Sequence, residues 1–101
     1  MKHMIRYKVK ADRVAENERS SAKVYEELHK LKPKGLRYAT FRLDDGVSFV
    51  HIVSYDQADG TSVLTDMPAF KEFTAGVRER CQEPPVRTEL KEIGSYGFFG
   101  D

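Results

Sequence analysis

The sequence predicts one α+β domain with the element order βαββαβ, and three observations support this prediction. The chain has 101 residues, a length typical of a single domain. Four short runs either alternate apolar and polar residues or are rich in β-branched and aromatic residues, as strands are. Between these runs, apolar residues recur every three or four positions in two stretches, as they do on helices. Residues 1–101 are therefore expected to share one core.

The composition excludes several classes of protein. With 40% hydrophobic and 33% charged residues, the chain is expected to be globular, and neither disordered nor a membrane protein. A net charge of +1 supplies no basic field, so neither nucleic acid nor an anionic membrane is an expected partner. The first four residues contain no apolar signal core, and we expect a cytoplasmic protein. The single cysteine, Cys81, excludes an internal disulfide and a cysteine-based metal cluster.

The first strand is predicted from Lys2 to Lys10, where apolar and basic residues alternate. A helix follows from Asp12, which is expected to cap it, to about Leu31. Proline and glycine in the next four residues are expected to end this helix. Its buried stripe has the spacing of a helix face and consists of Val14, Asn17, Ser21, Val24, Leu28 and Leu31.

A β-hairpin is predicted over Leu36–Tyr55, with Asp45-Gly46 as its two-residue loop. This loop sets the register, in which Thr40 lies opposite His51. One face of the hairpin then carries Tyr38, Thr40, Arg42, Phe49, His51, Val53 and Tyr55. The other face is almost wholly apolar, so we expect it to lie under the helices; it carries Ala39, Phe41, Leu43, Val50 and Ile52.

A polar segment, Asp56–Thr65, is expected to be a lid or to contain a short helical turn. A second helix is predicted from its capping residue Asp66 to Pro84-Pro85, with Pro68 in the first turn. Its buried stripe would be Phe70, Phe73, Val77 and Cys81, the cysteine serving as core packing. A last strand covers residues 86–91, and a bulge or break is expected near Gly94 before an aromatic tail.

Right-handed crossovers place both helices on one face of such a sheet, which is the ferredoxin-like arrangement. The other face would then expose an aromatic patch larger than a monomer usually shows to water. We expect a second copy of the chain to cover it, sheet against sheet, in a homodimeric α+β barrel. The expected interface residues are Tyr38, Thr40, Arg42, Phe49, Val53, Tyr55, Phe98 and Phe99.

Several of these features resemble the antibiotic-biosynthesis-monooxygenase-like family of dimeric α+β barrels. The resemblance lies in the hairpin, in the strand from Phe49 to Tyr55 with its polar loop, and in the segment Met67-Pro68-Ala69-Phe70-Lys71-Glu72-Phe73. It implies a homodimer with ligand pockets between helices and sheet. In some members it implies oxidation of aromatic polyketides without a cofactor, or haem degradation. Tyr55 stands where the family often has Trp, Ala69 replaces the helix His, and the first strand lacks the Asn of haem-degrading members.

Candidate site residues lie on the hairpin and on both helices. His51 is a candidate base or hydrogen-bond donor, with assistance from Tyr38 or Tyr55, although a histidine in a strand at a dimer interface more often supplies a structural hydrogen bond than catalysis. A pocket for a small apolar or aromatic ligand is expected between helices and sheet. Its expected lining is Asn17, Ser21, Tyr25, Phe41, Phe70 and Phe73.

Two alternatives to an enzyme remain open on sequence alone. The chain could be a ligand-binding or interaction protein without catalysis, because the same pocket and dimer would suffice. An RRM-like RNA-binding domain has the same element order, and Tyr7 and Phe49 could stack on bases. Asp45 and Val47 replace the cation and the ring that such a domain would use. No metal or other cofactor is expected, since His3, His29 and His51 fall on separate elements without ligand spacing.

Overall fold

A computed structural model describes residues 1–56 and 61–98 of the chain. Four strands and three α-helices follow one another in the described part, with a 3₁₀ turn at Ala11–Arg13. The strands are β1 (Lys2–Val9), β2 (Leu36–Arg42), β3 (Ser48–Tyr55) and β4 (Cys81–Leu90). The helices are α1 (Val14–Leu31), α2 (Thr61–Thr65) and α3 (Pro68–Arg80). None of the described helices is long and apolar enough to span a membrane.

The sheet is antiparallel, with the strand order β2-β3-β1-β4. Both long helices pack on one face of it, because Val24 of α1 and Phe73 and Val77 of α3 share a buried cluster with residues of β1 and β3. The predicted ferredoxin-like α+β fold is confirmed. The hairpin register is confirmed as well, since Thr40 lies opposite His51 and Leu36 opposite Tyr55.

The prediction of which hairpin face the helices cover is wrong. Phe49, His51 and Val53 are buried beneath the helices, whereas Phe41 of the supposed inner face is 49% exposed. In β1 the odd-numbered residues His3, Tyr7 and Val9 are buried on the same side. On the buried face, the ring of Phe49 stacks on that of Tyr7 in β1, and His51 packs against Phe73 of α3, so this face forms part of the core. We call that opposite face, which no described helix covers, the open face.

The hairpin loop is also wider than predicted. The amide of Leu43 donates to the carbonyl of Ser48 at 2.8 Å, and the amide of Gly46 donates to the carbonyl of Leu43 at 3.0 Å. Within the loop only Gly46 has a positive φ, at 78°, so the two-residue turn with two positive φ values does not form. The Asp45 carboxylate closes the turn by accepting from the backbone amides of Val47 and Ser48 and from the Ser48 hydroxyl.

The helix caps differ from the predicted ones. Asp12 lies in the 3₁₀ turn, and neither α1 nor α3 has a side-chain cap from its own N-cap residue. At the start of α3, Glu27 of α1 takes the role predicted for Asp66 and accepts from the amide of Ala69 at 3.1 Å. Helix α1 ends at Leu31, as predicted; its C-cap residue Lys32 has a left-handed φ of 47°, and Gly35 has a positive φ of 76° in the turn that follows.

The second long helix ends earlier than predicted, at Arg80, and β4 begins at Cys81 and includes Pro84 and Pro85. Two prolines fit because β4 is an edge strand, and its pairing with β1 shifts register beside them. Cys81 therefore belongs to a strand and is half-buried, not part of a helix stripe.

The remaining segments give mixed results. The polar segment was expected to be a lid or to contain a short helical turn, and it contains the short helix α2. Residues 57–60 lie outside the described part. No strand continues past Leu90 in the described tail, so a break rather than a bulge precedes Gly94. Phe98 lines a small cleft on the open face with Phe41 and Ile52. Phe99 lies outside the described residues.

Candidate functional site

His51 lies at the centre of a buried group of polar side chains beneath the helices. It is 3% exposed on β3, with β1 and β2 on either side. Its Nε2 lies 2.7 Å from the hydroxyl of Tyr7, and its Nδ1 lies 2.5 Å from the hydroxyl of Tyr38. The antiparallel register sets this geometry: Ile5 and Thr40 lie directly opposite His51, and Tyr7 and Tyr38 are its diagonal neighbours on the same face.

On the β1 side the group continues to a buried cation. The Nδ2 of Asn17, on α1, donates to the Tyr7 hydroxyl at 3.0 Å. Arg80, at the end of α3, donates from Nε to the Oδ1 of Asn17 at 3.2 Å. The Arg80 guanidinium also lies over the ring of Phe73, 5.2 Å from its centroid, and is held there as a cation–π contact.

On the β2 side the group reaches the edge of the core. Thr40 Oγ1 lies 3.3 Å from Nδ1 of His51 and 2.6 Å from the hydroxyl of Tyr25 on α1. The rings of Tyr25 and Tyr38 stack with centroids 5.4 Å apart. We call the full series the polar chain; it consists of Arg80, Asn17, Tyr7, His51, Tyr38, Thr40 and Tyr25.

Burial keeps the centre of the polar chain neutral. It lowers the pKa of His51 from 6.5 to about 4, because a charged imidazolium is poorly solvated there. Burial also raises the pKa of Tyr7 and that of Tyr38, so neither phenol ionises near neutral pH. A neutral imidazole held between two phenols can accept or pass a proton without a net buried charge at rest.

A cleft of about 280 Å³ opens between α1 and β2 at the Tyr25 end of the polar chain. We call it the helix-side cleft. Ser21, Tyr25, Thr40 and Phe49 line its inner part. An ion pair between Arg42 and Glu18, 2.7 Å apart, lies at its exposed rim. The cleft thus combines aromatic walls with a few hydroxyl groups, as small-molecule sites do.

A larger cleft, of about 440 Å³, lies on the open face between β1 and β4. Its lining includes Met4, Arg6, Val86 and Thr88, and Tyr7 is the single member of the polar chain beside it. It therefore has volume but little of the chemistry that the polar chain offers. We consider the helix-side cleft the better candidate for a functional site.

The structure brings together most of the residues that the sequence predicted for a ligand pocket. Asn17 and Tyr25 belong to the polar chain, and Ser21 lines the cleft. Phe73 packs against His51 at 5.4 Å between centroids, and Phe70 against Tyr38 at 6.3 Å. Phe41 is the exception, because it points to the open face.

The residues predicted for a sheet-to-sheet interface lie on the other side of the sheet. The chain's own helices cover Tyr38, Thr40, Phe49, Val53 and Tyr55, whereas Arg42 lies at the exposed rim of the helix-side cleft. The same placement removes the basis for RNA stacking, since Tyr7 and Phe49 are 3% and 2% exposed. Tyr55 does not join the polar chain; its ring lies 5.8 Å from that of His3.

Sequence reasoning missed the roles of two residues, Tyr7 and Arg80. Tyr7 shares the strand period of Val9, and this alternation could have placed it on the face of His51. Arg80 lies seven positions after Phe73 and three after Val77, so helical spacing places a cation on the buried stripe of α3. A charged residue at such a position is the signal that was available. No group of side chains in the described residues could hold a metal ion.

Comparison with solved structures identifies the fold. The chain is similar to a protein from Bacteroides thetaiotaomicron, with a TM-score of 0.80 and 15% identity over 92% of this chain and 89% of that one. It is similar to a Nitrosomonas europaea protein, with a TM-score of 0.78 and 14% identity over 95% and 92% of the two chains. It is also similar to a Caulobacter crescentus protein, with a TM-score of 0.77 and 18% identity over 92% of this chain and 89% of that one.

All three of these proteins have been assigned as antibiotic biosynthesis monooxygenases. At such identities the likeness establishes a shared fold over nearly the whole of both chains. No family model matches the sequence, and no curated protein matches it. The chain therefore has the α+β fold of proteins that carry this name.

Proposed function

We propose that the chain is a member of the antibiotic-biosynthesis-monooxygenase-like family, that it binds a small aromatic molecule in the helix-side cleft, and that it oxidises this molecule with dioxygen without metal or flavin. The observation that carries the proposal is the polar chain, which connects buried His51 to the hydroxyls at the cleft. The shared fold supports the family assignment.

In this reaction the substrate supplies the electrons, so the protein needs only to bind, orient and handle protons. Ser21, Tyr25 and Thr40 supply the hydroxyl groups that a ligand in the inner part of the cleft would contact. Phe49 supplies an apolar wall that excludes water from the reacting carbon. His51 would act through Tyr38 and Thr40 as a positioning residue that orients the hydroxyl groups at the cleft towards the oxygen of the substrate anion.

Anthrone is a suitable probe because its methylene carbon is activated by the neighbouring carbonyl and rings. Deprotonation of this carbon gives an electron-rich carbanion that reduces dioxygen. One oxygen atom becomes the second carbonyl oxygen of anthraquinone, and the other leaves as water with the two methylene hydrogens. The reaction is balanced by dioxygen alone and needs no further reductant.

The test compares anthraquinone formation and oxygen consumption for the wild type and two variants, after subtraction of the rate in buffer. We expect the wild type to accelerate the reaction. In His51→Gln the protein-dependent rate should be roughly 100-fold lower than in the wild type. His3→Gln is the matched control, because His3 is also buried on the helix side but lies outside the polar chain. It should retain the wild-type rate.

Two results would overturn parts of this proposal. No acceleration by the wild type, with anthrone recovered unchanged from the protein under air, would make the chain a binding protein without oxidase activity. Equal losses in His51→Gln and His3→Gln would remove the polar chain from the mechanism and leave only general destabilisation.

The proposal includes a homodimer formed through the open face. This face exposes apolar side chains, with Phe41 49% and Val86 61% exposed, and Ile52 lies beside Phe41. Two such faces would bury these groups against each other, as sheets do in sandwiches. The interface residues would thus come from the face opposite to that predicted by sequence, with Phe98 at its edge.

A further inference from the structure

Arg80 is a buried cation that has no anionic partner in the part of the chain that the structure describes. Its side chain is 5% exposed, and none of the ion pairs within residues 1–56 and 61–98 includes it. Its Nη2 has no hydrogen-bond partner among the described residues, while its Nε donates to Asn17. A guanidinium can only donate hydrogen bonds, so this contact has one allowed direction.

The direction at Arg80 fixes the orientation of the Asn17 amide. Oδ1 must face the guanidinium, because the alternative would place an NH₂ group against another donor. Nδ2 therefore faces Tyr7 and donates to its hydroxyl oxygen, in agreement with the distance of 3.0 Å.

The hydrogen-bond direction at Tyr7 then determines which ring nitrogen of His51 is protonated. Tyr7 already accepts from Asn17, so its own proton needs an acceptor, and Nε2 of His51 lies 2.7 Å away. If Nε2 carried a proton instead, two donors would point at Tyr7 and the phenolic proton would be buried without a partner. Nε2 must be the unprotonated nitrogen and Nδ1 the protonated one.

We propose that Arg80 is a positioning residue that sets the direction of every hydrogen bond in the polar chain, holds His51 as its Nδ1–H tautomer, and makes the cleft end of the chain a donor. The Nδ1–H group donates to Tyr38 and also faces Thr40 Oγ1 at 3.3 Å, so Thr40 accepts from His51 and its own proton is donated to Tyr25. The hydroxyl proton of Tyr25 is left for the cleft that this residue lines.

A donor at the cleft selects for a ligand with an acceptor oxygen, such as a ketone or an ionised phenol, over one that offers only N–H groups. This part of the inference rests on the proposed function, because it assumes that a ligand enters the helix-side cleft. The tautomer part rests on the described contacts alone. The two parts can therefore fail separately.

The tautomer is tested by two-bond ¹⁵N–¹H correlations of the His51 ring in the unliganded protein at neutral pH. We expect the pattern of the Nδ1–H form, which is the minor form of histidine in water. A pattern of the Nε2–H form in the wild type would overturn the proposal without any variant.

Variants then test whether Arg80 sets the tautomer. Arg80→Met should give a mixture of both tautomers, whereas Arg80→Lys keeps a donor cation and should keep the Nδ1–H form. Arg87→Met is the matched control, since Arg87 contacts His3 rather than the polar chain. If Arg80→Met does not fold, Asn17→Leu breaks the same link. A wild-type pattern in whichever of these two variants folds would overturn the role of Arg80.

The ligand part is tested with three flat tricyclic compounds of similar shape. Fluorenone has only an acceptor, carbazole has only an N–H donor, and fluorene has neither. We expect fluorenone to bind at least tenfold more tightly than carbazole and fluorene, and Tyr25→Phe to abolish this preference. Equal or tighter binding of carbazole, or no binding of fluorenone, would overturn the selection for an acceptor oxygen.

Discussion

The phenolic oxygen of Tyr7 lies 2.7 Å from Nε2 of His51, although 44 positions separate the two residues in the sequence. Antiparallel pairing of β1 with β3 brings them together, and the helices close over them. The buried imidazole depends on Tyr7 at Nε2, and on Tyr38 and Thr40 at Nδ1, for its hydrogen bonding.

Removing one hydroxyl from the polar chain should destabilise the protein measurably. Tyr7→Phe deletes the group that joins Asn17 to His51 and leaves two buried polar atoms without partners. We expect the free energy of unfolding to fall by about 1–3 kcal/mol in urea denaturation. Tyr96→Phe is the control, because Tyr96 is 94% exposed and its change should have no effect.

The stability of the protein should depend on pH through His51. Between about pH 6.5 and pH 4 the unfolded chain binds a proton at this residue that the folded chain does not. The free energy of unfolding should therefore fall as the pH falls through this window, by about 3 kcal/mol in total. His3, whose pKa burial also lowers, acts in the same direction.

The pH dependence is checked by urea denaturation at several pH values for the wild type, His51→Gln and His29→Gln. The His51 variant should show a flatter profile across the window. Exposed His29 should leave the wild-type profile unchanged. Three profiles of the same slope would contradict a buried neutral His51.

The hairpin turn should depend on one carboxylate. Asp45→Ala removes three hydrogen bonds that close the turn, so we expect a lower melting temperature. These bonds lower the pKa of Asp45 to about 2, so their contribution should fade as the pH falls from 3.8 towards 2. Asp44→Ala is the matched control one residue earlier. An equal drop in both variants would show that loss of charge, and not the turn contacts, is responsible.

The proposed dimer should depend on the open face. Phe41→Arg places a charge in the middle of the apolar surface, and we expect it to convert the dimer into monomer in analytical ultracentrifugation. Leu31→Arg changes a residue of α1 that is 58% exposed and lies away from that face, so the dimer should persist. A wild-type protein that sediments as a monomer at micromolar concentration would contradict the dimer directly.

Local patterns predicted the topology well because strand alternation, helical spacing and the Asp45-Gly46 turn each report on neighbouring residues. The register of the hairpin followed from the turn, since a closing pair fixes all later pairs. The helix-covered face did not follow, because both hairpin faces carry apolar side chains and only contacts between distant elements decide between them. The early end of α3 was missed for a related reason, as pairing with β1 extends β4 back to Cys81.

Part of the candidate site was visible in the sequence, and part was not. Asn17 and Ser21 interrupt an apolar helix stripe, and that irregularity alone marked them as pocket residues. His51 was marked by its residue type. Its partnership with Tyr7 and the buried cation at Arg80 arise from tertiary packing between β1, α1 and α3, for which sequence spacing gives no direct signal.

The most direct test of the central claim is to locate bound fluorenone by mapping backbone amide shifts in ¹H–¹⁵N spectra. If the ligand binds at the end of the polar chain, the largest changes in amide chemical shift should occur around the helix-side cleft, at Ser21, Tyr25, Thr40 and Phe49. Shifts confined to Met4, Arg6, Val86 and Thr88 would place the ligand in the larger cleft on the open face and contradict the account.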